Sequence, residues 1–516
     1  MPRSSRPWTR CCRKPRISSA EGRRDRPRDD KEEPSMSIAR ALSNAMSGLT
    51  AVSRGTETVA ANLANASTPG YARREVELSP QSLGANSGGV RIHGIARIVN
   101  AGLLAETRLA EAARSEAAVK LAFTKDMETV IGLPGEAGSL GNVLTAFQAA
   151  LLSASARPDD NLRLSTVIAA AEDLAHQLNT TSKVVQEART KADAAIASEV
   201  ARLNASLERV AYLNRRIAII SAEGSDASSL KDERQAVIGQ IASIVPVQEV
   251  LRDNDQVALF TTEGAVLLDG SKPIRLGFQP AGQLTPEMTV GTPPVGVLQQ
   301  DSVDLSAGGM RLFAGGSLAA NFAIRDELAP QLQHEIDSIA LELYNRLSGP
   351  DADPSLANGE PGLFTNAGGA VSLSTMTGLA GRISVNSAAV TEPWRIRAGL
   401  AATTPGEVAD PAQLLRWITA LDAVAAPPSS GAFEGQGTLS KRMAELESRI
   451  VTRRVFAESD STIRNSRYET ITWRFMSLGV DSDFEMQRLL QYEHAYAANA
   501  RVIQAIDEMM DHILRI

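Results

Sequence analysis

The last 35 residues restrict the fold more than any other stretch. Leu489, Tyr492, Tyr496, Asn499, Ile503, Ile506, Met510 and Ile513 recur at alternating spacings of three and four. That rhythm is the narrow a/d seam of a coiled coil, held for about four heptads. No Gly or Pro interrupts it, and Ser482-Asp483-Phe484-Glu485 ahead of it reads as a capping box. A helix of this length spans roughly 50 Å at 1.5 Å per residue.

A second seam lies at the other end. Ile38, Leu42, Ala45, Leu49, Val52, Thr56, Val59 and Leu63 keep the same rhythm from just after Met36. Each seam alone could be an ordinary amphipathic helix on a globular core. Two sustained seams at opposite ends favour one coiled coil that joins the termini. Leu490, Val502, Met509 and Leu514 lie outside the pairing stripe, and one monomer cannot cover them all, which marks an assembly surface. Repeated head to tail without closure, such a surface builds a helical array. Asn499 on the seam is the candidate register-setting polar residue.

A chain of 516 residues has room for three or four domains. Aromatics make up 4% of it, which suits long helices packed on small side chains. Residues 1–35 differ in kind: eleven Lys/Arg, six Asp/Glu and five Pro, with both cysteines, Cys11 and Cys12. They lack the apolar core of a secretory signal. The expectation is a disordered extension, with Met36 as the true initiator. Taking those residues from the 53 basic and 60 acidic ones leaves 42 and 54, a net of −12, which argues against a general nucleic-acid binder. It also leaves no thiol for disulfides, zinc or Fe–S chemistry. No run of eighteen apolar residues exists to span a membrane.

In order from Met36, the first helix runs to about Ala66 and stops at Thr68-Pro69-Gly70-Tyr71. Gly48 and Gly55 inside it each cost helix stability. Asn62 and Asn65 share a face, where their amides cap the turn or bond across a helix interface. Short apolar alternations over 88–99 predict an extended stretch or hairpin. Helices follow at 101–131, 140–156 and 161–223, the last as one helix or two, and then a turn at 224–229. Short strands are expected from Pro246 to Phe278, then a helix from Gly316-Ser317-Leu318 to about Leu347. Residues 348–435 are Gly/Pro/Ala-rich, with a strand near Ile383–Val385, a helix near Ala412–Leu421, and Trp394 and Trp417 as core anchors. A long helix over 440–476 leads through Ser477–Asp481 to the terminal one.

No catalytic constellation stands out. The five histidines have no metal-ligand spacing, Gly315-Gly316 lacks a P-loop Lys, and no nucleophile elbow is present. The chain reads as a structural protein without cofactor, not an enzyme.

Two strings point to a family. Asn44-Ala45-Met46-Ser47-Gly48-Leu49, followed by Asn62-x-x-Asn65-x-x-Thr68-Pro69-Gly70-Tyr71, resembles the N-terminal signature of the flagellar rod, hook and hook-associated axial proteins. Leu478-Gly479-Val480-Asp481 and Tyr496–Ile503 resemble their C-terminal signature. Leu230-x-Asp232-x-Arg234 and the Gly-Ser-Leu turn at 316 resemble internal landmarks of the hook-associated branch, although Gln235 and Val237 depart from its pattern. The resemblance covers roughly half the chain.

It implies a mainly α fold with inserted β: paired terminal coiled-coil helices forming an inner tube, a long-helix bundle and a small β-rich outer domain. The expected divisions are 36–70 with 482–516 for the terminal domain and 71–249, 311–349 and 436–481 for the bundle. Residues 250–310 and 350–435 would form the β-rich outer region. It also implies an extracellular axial component that joins hook to filament by helical self-assembly. Export would run, uncleaved, through the flagellar type III apparatus. Implied partners are further copies in a ring, hook protein, hook-associated protein 3 and an export chaperone on the C-terminal helix, with no nucleic acid and no membrane insertion. A hook or rod subunit is the alternative within the family, and a cytoplasmic coiled-coil adaptor the alternative outside it. The expected assembly interface is Ile38, Leu42, Leu49, Val52, Val59 and Leu63 with the eight C-terminal seam residues.

Overall fold

The computed structural model describes residues 34–515 except Pro69, 84–85 and 292–293. The expectations for residues 1–33, including Cys11 and Cys12, and for Pro69 lie outside the described residues.

The first elements are α1 (Pro34–Ala64), β1 (Arg74–Leu83) and β2 (Asn86–Arg97), the strands pairing as a two-stranded sheet. Next come α2 (Ala101–Ile131), α3 (Leu140–Ala156), α4 (Asn161–Ala222) and α5 (Ser228–Ile244). Polar side chains set their starts: Asn100, Ser139 and Asp160 accept backbone N–H bonds from Leu103, Asn142 and Leu162. The long Ala-rich stretch is one 62-residue helix, α4.

Residues after α5 form two small antiparallel sheets. One holds β3 (Val247–Leu251), β4 (Val257–Thr261), β5 (Val266–Asp269) and β6 (Lys272–Pro273). The other holds β7 (Leu276–Gly277), β8 (Gln299–Gln300) and β9 (Val303–Asp304). The chain returns through α6 (Ala307–Arg311) to α7 (Gly316–Ala323), a π-helical turn at Ile324–Leu328, and α8 (Ala329–Arg346). The Gly-Ser-Leu turn has a steric cause. Gly316 sits at φ 73°, and a Cβ there would lie 2.2 Å from the Ile244 carbonyl oxygen.

Two strands, β10 (Phe364–Asn366) and β11 (Ile383–Val385), then pair antiparallel. After them come α9 (Ser387–Thr391), α10 (Arg395–Ala398), α11 (Ala412–Asp422), α12 (Leu439–Ser477) and α13 (Ser482–Leu514).

Helix α4 is the spine of two apolar cores. Its first half, to Ala192, packs with α3, α8, α11 and α12; its second half, from Ile196, packs with α5, α7 and the β insert. The expected β-rich grouping of 350–435 with 250–310 is corrected here. Residues 350–435 hold only three-residue strands, and Leu363, Phe364, Ile383, Ile396, Trp417 and Phe433 belong to the larger helical core. Phe147 and Phe364 meet edge to face at 5.9 Å there. Trp417 is fully buried, as expected of an anchor, whereas Trp394 is half-buried beneath the Arg395 guanidinium.

The described chain divides into two compact units. The first comprises residues to Ser53, Ser79–Arg91 and Glu493 onward; the second comprises Arg54–Leu78 and Ile92–Tyr492.

Candidate assembly site

In the first unit, α1 offers two faces. Asn44 and Ser47 lie one turn apart, and the Ser47 hydroxyl accepts a bond from the Val90 N–H of β2 at 3.2 Å. Gly89 approaches so closely that a Cβ there would sit 2.2 Å from that hydroxyl. The other face carries Gly48 against the Asn499 amide of α13, which a Cβ would meet at 3.0 Å. Ala45, Ala51 and Val52 are buried, as is Ile506 on α13.

In the second unit the same arrangement recurs one heptad on. Gly55 lies beneath the Tyr492 ring, where a Cβ would come within 2.4 Å of the ring carbon bearing the hydroxyl. Seven residues separate the two glycines and seven separate their partners, in opposite chain directions. This is antiparallel heptad register, with small residues on α1 receiving large ones on α13. Helix propensity counts these glycines as a cost only, because it takes each residue without its partner.

The Asn-rich turn is built around one fully buried amide. Asn62 Nδ2 donates to the Arg74 carbonyl at 2.8 Å, and Asn62 Oδ1 accepts from the Arg74 N–H at 3.0 Å and the Tyr71 hydroxyl at 2.9 Å. One side chain thus pins the end of α1 to the start of β1. Burial pushes the Tyr71 phenol above its usual range, which keeps it protonated as a donor. Gly70 takes φ 83°, open to glycine at little cost. Asn65 bonds within the turn, to the Ala61 carbonyl and the Thr68 hydroxyl.

From the turn, arginines tie three elements together. Arg73 Nε donates to the buried Glu485 carboxylate of α13 at 2.7 Å, with its guanidinium 4.8 Å from the Phe484 ring. Arg488 reaches Glu75 at 2.6 Å. Arg74 and Arg97 both bind Asp232 of α5, at 3.2 and 2.5 Å. The Leu-x-Asp-x-Arg string is therefore a junction. Asp232 receives the hairpin, Arg234 reaches the Asn214 side chain and the Asp255 carbonyl, and Gln235 bonds Glu249 and Arg108. Burial is the main influence on Arg108 and lowers its pKa, with Glu249 opposing.

The terminal helix starts differently from expectation. Asp481, not Ser482, caps it, accepting the Asp483 and Phe484 N–H groups at 2.9 and 3.2 Å. Glu485 is engaged by Arg73 instead of closing a capping box.

The seam residues fall into three groups. Val52, Val59 and Ile506 are buried; Ile38, Leu42, Leu49, Leu489, Tyr492, Asn499 and Ile503 are half-buried. Leu63, Tyr496, Met510 and Ile513 are exposed, and at the level of Tyr496 the half-buried residue is Ala495. A straight α-helix drifts ~20° per heptad from a 3.5-residue repeat, so a strict seam leaves its partner's side.

Among the described residues no His/Cys/Asp/Glu group could hold a metal, and no helix is long and apolar enough to cross a membrane.

Three family models match the chain: the helical domain of flagellar hook-associated protein FlgK over residues 124–363, the C-terminal segment of the flagellar basal body rod FlgEFG proteins over 477–516, and the flagella basal body rod protein over 42–71. Flagellar hook-associated protein 1 of Salmonella typhimurium is 25% identical over 350 residues, covering 64% of this chain and 61% of that protein. The chain thus aligns with a little under two thirds of that relative's length. The protein of the same name from Bacillus subtilis is 22% identical over 505 residues, covering 92% of this chain and 97% of that one. The solved structure of the flagellar hook junction protein FlgK from Burkholderia pseudomallei is 18% identical, with a TM-score of 0.43 over 51% of this chain and 46% of that one.

Proposed function

We propose that this chain, a flagellar axial protein of the hook-associated protein 1 type by its helical domain and both its ends, joins hook to filament as a self-assembling structural subunit. The carrying observation is the terminal helix pair. Its glycine seats, Gly48 under Asn499 and Gly55 under Tyr492, bring the two ends of the chain together. Leu490, Val502, Met509, Met510, Ile513 and Leu514 on α13 remain exposed. Apolar surface left bare on a paired helix has a second copy as its natural cover.

In this reading Ile38, Leu42, Leu49, Val52, Val59 and Leu63 with the C-terminal seam form the assembly interface, and Asn62–Tyr71 is the turn that fixes the pair. The bundle of α2–α5, α7, α8, α11 and α12 with residues 350–435 is the helical domain of this subunit, and the β insert after α5 is its variable part. Hook protein lies on one side and hook-associated protein 3 on the other. An export chaperone holds α13 before passage through the flagellar type III apparatus. The role is structural and needs no cofactor.

Electron microscopy of a strain deleted for residues 36–516, with flagellin assayed in the medium, tests this. Bare hooks with shed flagellin are expected, since filament subunits would be exported with nothing to seat them. Normal filaments would overturn the proposal, and loss of the hook itself would make the chain a hook or rod subunit.

A further inference from the structure

A groove along α4 takes no part in the terminal-helix reading. It encloses about 790 Å³, within the ~300–1,000 Å³ of ordinary ligand sites. One wall is the face of α4 from Asn179 to Ala194. The others are the segment 283–287 between β7 and β8 and the turn at 378–382.

Each wall is held from behind. Arg189 of α4 donates to the Thr285 and Met288 carbonyls at 3.0 and 2.7 Å, and the Thr190 hydroxyl accepts the Leu284 N–H at 3.1 Å. Asn179 Nδ2 donates to the Ala380 carbonyl at 2.7 Å. At the floor, the Ser182 hydroxyl and the Gln186 amide both donate to Gln333 Oε1, and Gln333 Nε2 donates to the buried Asp337 carboxyl at 2.9 Å. Burial raises the pKa of that acid to about 6. A preformed polar cavity with a perturbed acid behind it is the usual form of a ligand site.

The lining restricts what the ligand can be. Among the described residues of the groove none is aromatic, and Leu284 and Pro286 are the largest apolar side chains, so there is no platform for a base or an acyl chain. A phosphate finds no nest of backbone N–H groups, because those of 378–382 are given to Asp337 or to nearby carbonyls. Arg382 is spent on Glu287, Asn366 and the Thr375 and Thr377 carbonyls. A peptide strand finds no free edge, because α4 side chains hold the backbone of Ala281, Leu284, Thr285 and Met288.

What stays open is one cation beside amide and hydroxyl groups. Lys183 lies 3.7 Å from Glu187, one turn along α4. Lys191, a further turn on, has no acidic partner among the described residues. The Gln283 amide and the Thr285 hydroxyl each donate and accept, as the hydroxyls of a sugar do.

We propose that the groove binds a short acidic sugar, with its carboxylate on Lys191 and its hydroxyls on Gln283, Thr285 and Glu187. The site goes beyond the role proposed for the terminal helices and does not depend on it. Isothermal titration of the full chain tests it, with digalacturonic acid and sialyllactose set against their neutral counterparts, galactobiose and lactose. At least one acid should bind about tenfold tighter than its counterpart, the worth of one charge-assisted hydrogen bond. Lys191→Met should erase that difference and Lys191→Arg should keep it. Gln283→Leu should weaken the acid about threefold or more. Both positions are exposed, and the variants should melt as the parent does. Absence of binding by both acids overturns the site, as does a preference for the acid that survives Lys191→Met. Triglutamate binding tighter than either acid would make the occupant a peptide and overturn the sugar.

Discussion

The glycine seats predict opposite outcomes for two chemically identical substitutions. Gly48→Ala and Gly55→Ala each replace glycine inside α1, and each should gain ~1 kcal/mol of helix propensity. They differ in what the new methyl meets. At Gly48 it lies 3.0 and 3.1 Å from the Nδ2 and Oδ1 atoms of Asn499, the end of a side chain that turns aside by rotamer change. At Gly55 it lies 2.4, 2.7 and 2.8 Å from three atoms of the Tyr492 ring. The ring cannot yield without moving α13, and overpacking of this kind costs ~1–3 kcal/mol. Gly48→Ala should therefore leave the helix pair unchanged or firmer by up to ~1 kcal/mol, whereas Gly55→Ala should loosen it by up to ~2 kcal/mol. Amide exchange of the full chain, read over residues 488–496, measures this directly, since ~2 kcal/mol is about a thirty-fold loss of protection. Combining Gly55→Ala with Tyr492→Ala should give a smaller loss than the two single changes added together, because the clash is shared. Equal gains in protection from Gly48→Ala and Gly55→Ala would refute the reasoning.

Other expectations come from buried charge. Asp337 of α8 accepts the Gly378 and Ala380 N–H groups at 2.7 and 2.8 Å, and burial outweighs those bonds to raise its pKa to about 6. A folded value above the unfolded 3.8 means the native state holds the extra proton, so this group's contribution to stability falls as pH rises from about 4 through about 6, by up to ~3 kcal/mol at 1.36 kcal/mol per pH unit. The difference in melting temperature between the parent and Asp337→Asn should change across that window, and a difference independent of pH rejects the account. Arg73→Ala strands the buried Glu485 carboxylate and should destabilise the start of α13 by ~3–5 kcal/mol, read by exchange at 483–489. Adding Glu485→Leu should recover much of that loss, and no recovery would show that Arg73 acts through something other than the ion pair. Asn62→Ala removes three bonds at once and should raise protease cleavage between 65 and 74 several-fold; an unchanged rate would mean the turn holds without its amide.

The legible parts of this fold share a physical cause, and so do the illegible ones. Apolar rhythm, caps and breakers act within a few residues, so α2, α3, α4, α12 and the ends of α1 could be placed from the sequence to within a turn. The turn at Asn62–Tyr71 was visible as a string, yet its purpose is a bond to the backbone of Arg74, twelve residues on. Residues 350–435 looked β-like because Gly, Pro and Ala there hide the helical rhythm. What binds the segment to the bundle is Trp417, Phe364 and buried polar groups. Asp353, for example, accepts the Leu400 N–H at 2.8 Å. No local pattern announces such a partner. Glu485 shows the same limit in one residue, because its place suited a capping box while its true partner, Arg73, lies 412 positions away.

The three heptad stripes of this chain separate two questions that a periodic pattern merges. A 3-4 repeat says that one face of a helix is incomplete, and it does not say who completes it. The α1 and α13 seams stand out because Leu, Ile, Val and Met fill most of their positions, and those helices meet each other within the chain. The third, on α12, runs through Thr452, Phe456, Ser459, Ile463, Ser466, Thr470, Trp473 and Ser477, and Ser and Thr dilute it at five of those eight positions, so hydrophobic rhythm alone passes over it. Its anchors are more exposed than any seam residue of α13, since Phe456 and Trp473 each leave 71% of their surface bare against 51% for Tyr496 and Ile513. Small polar positions cost a monomer little in water, so a stripe built in this way can stay bare.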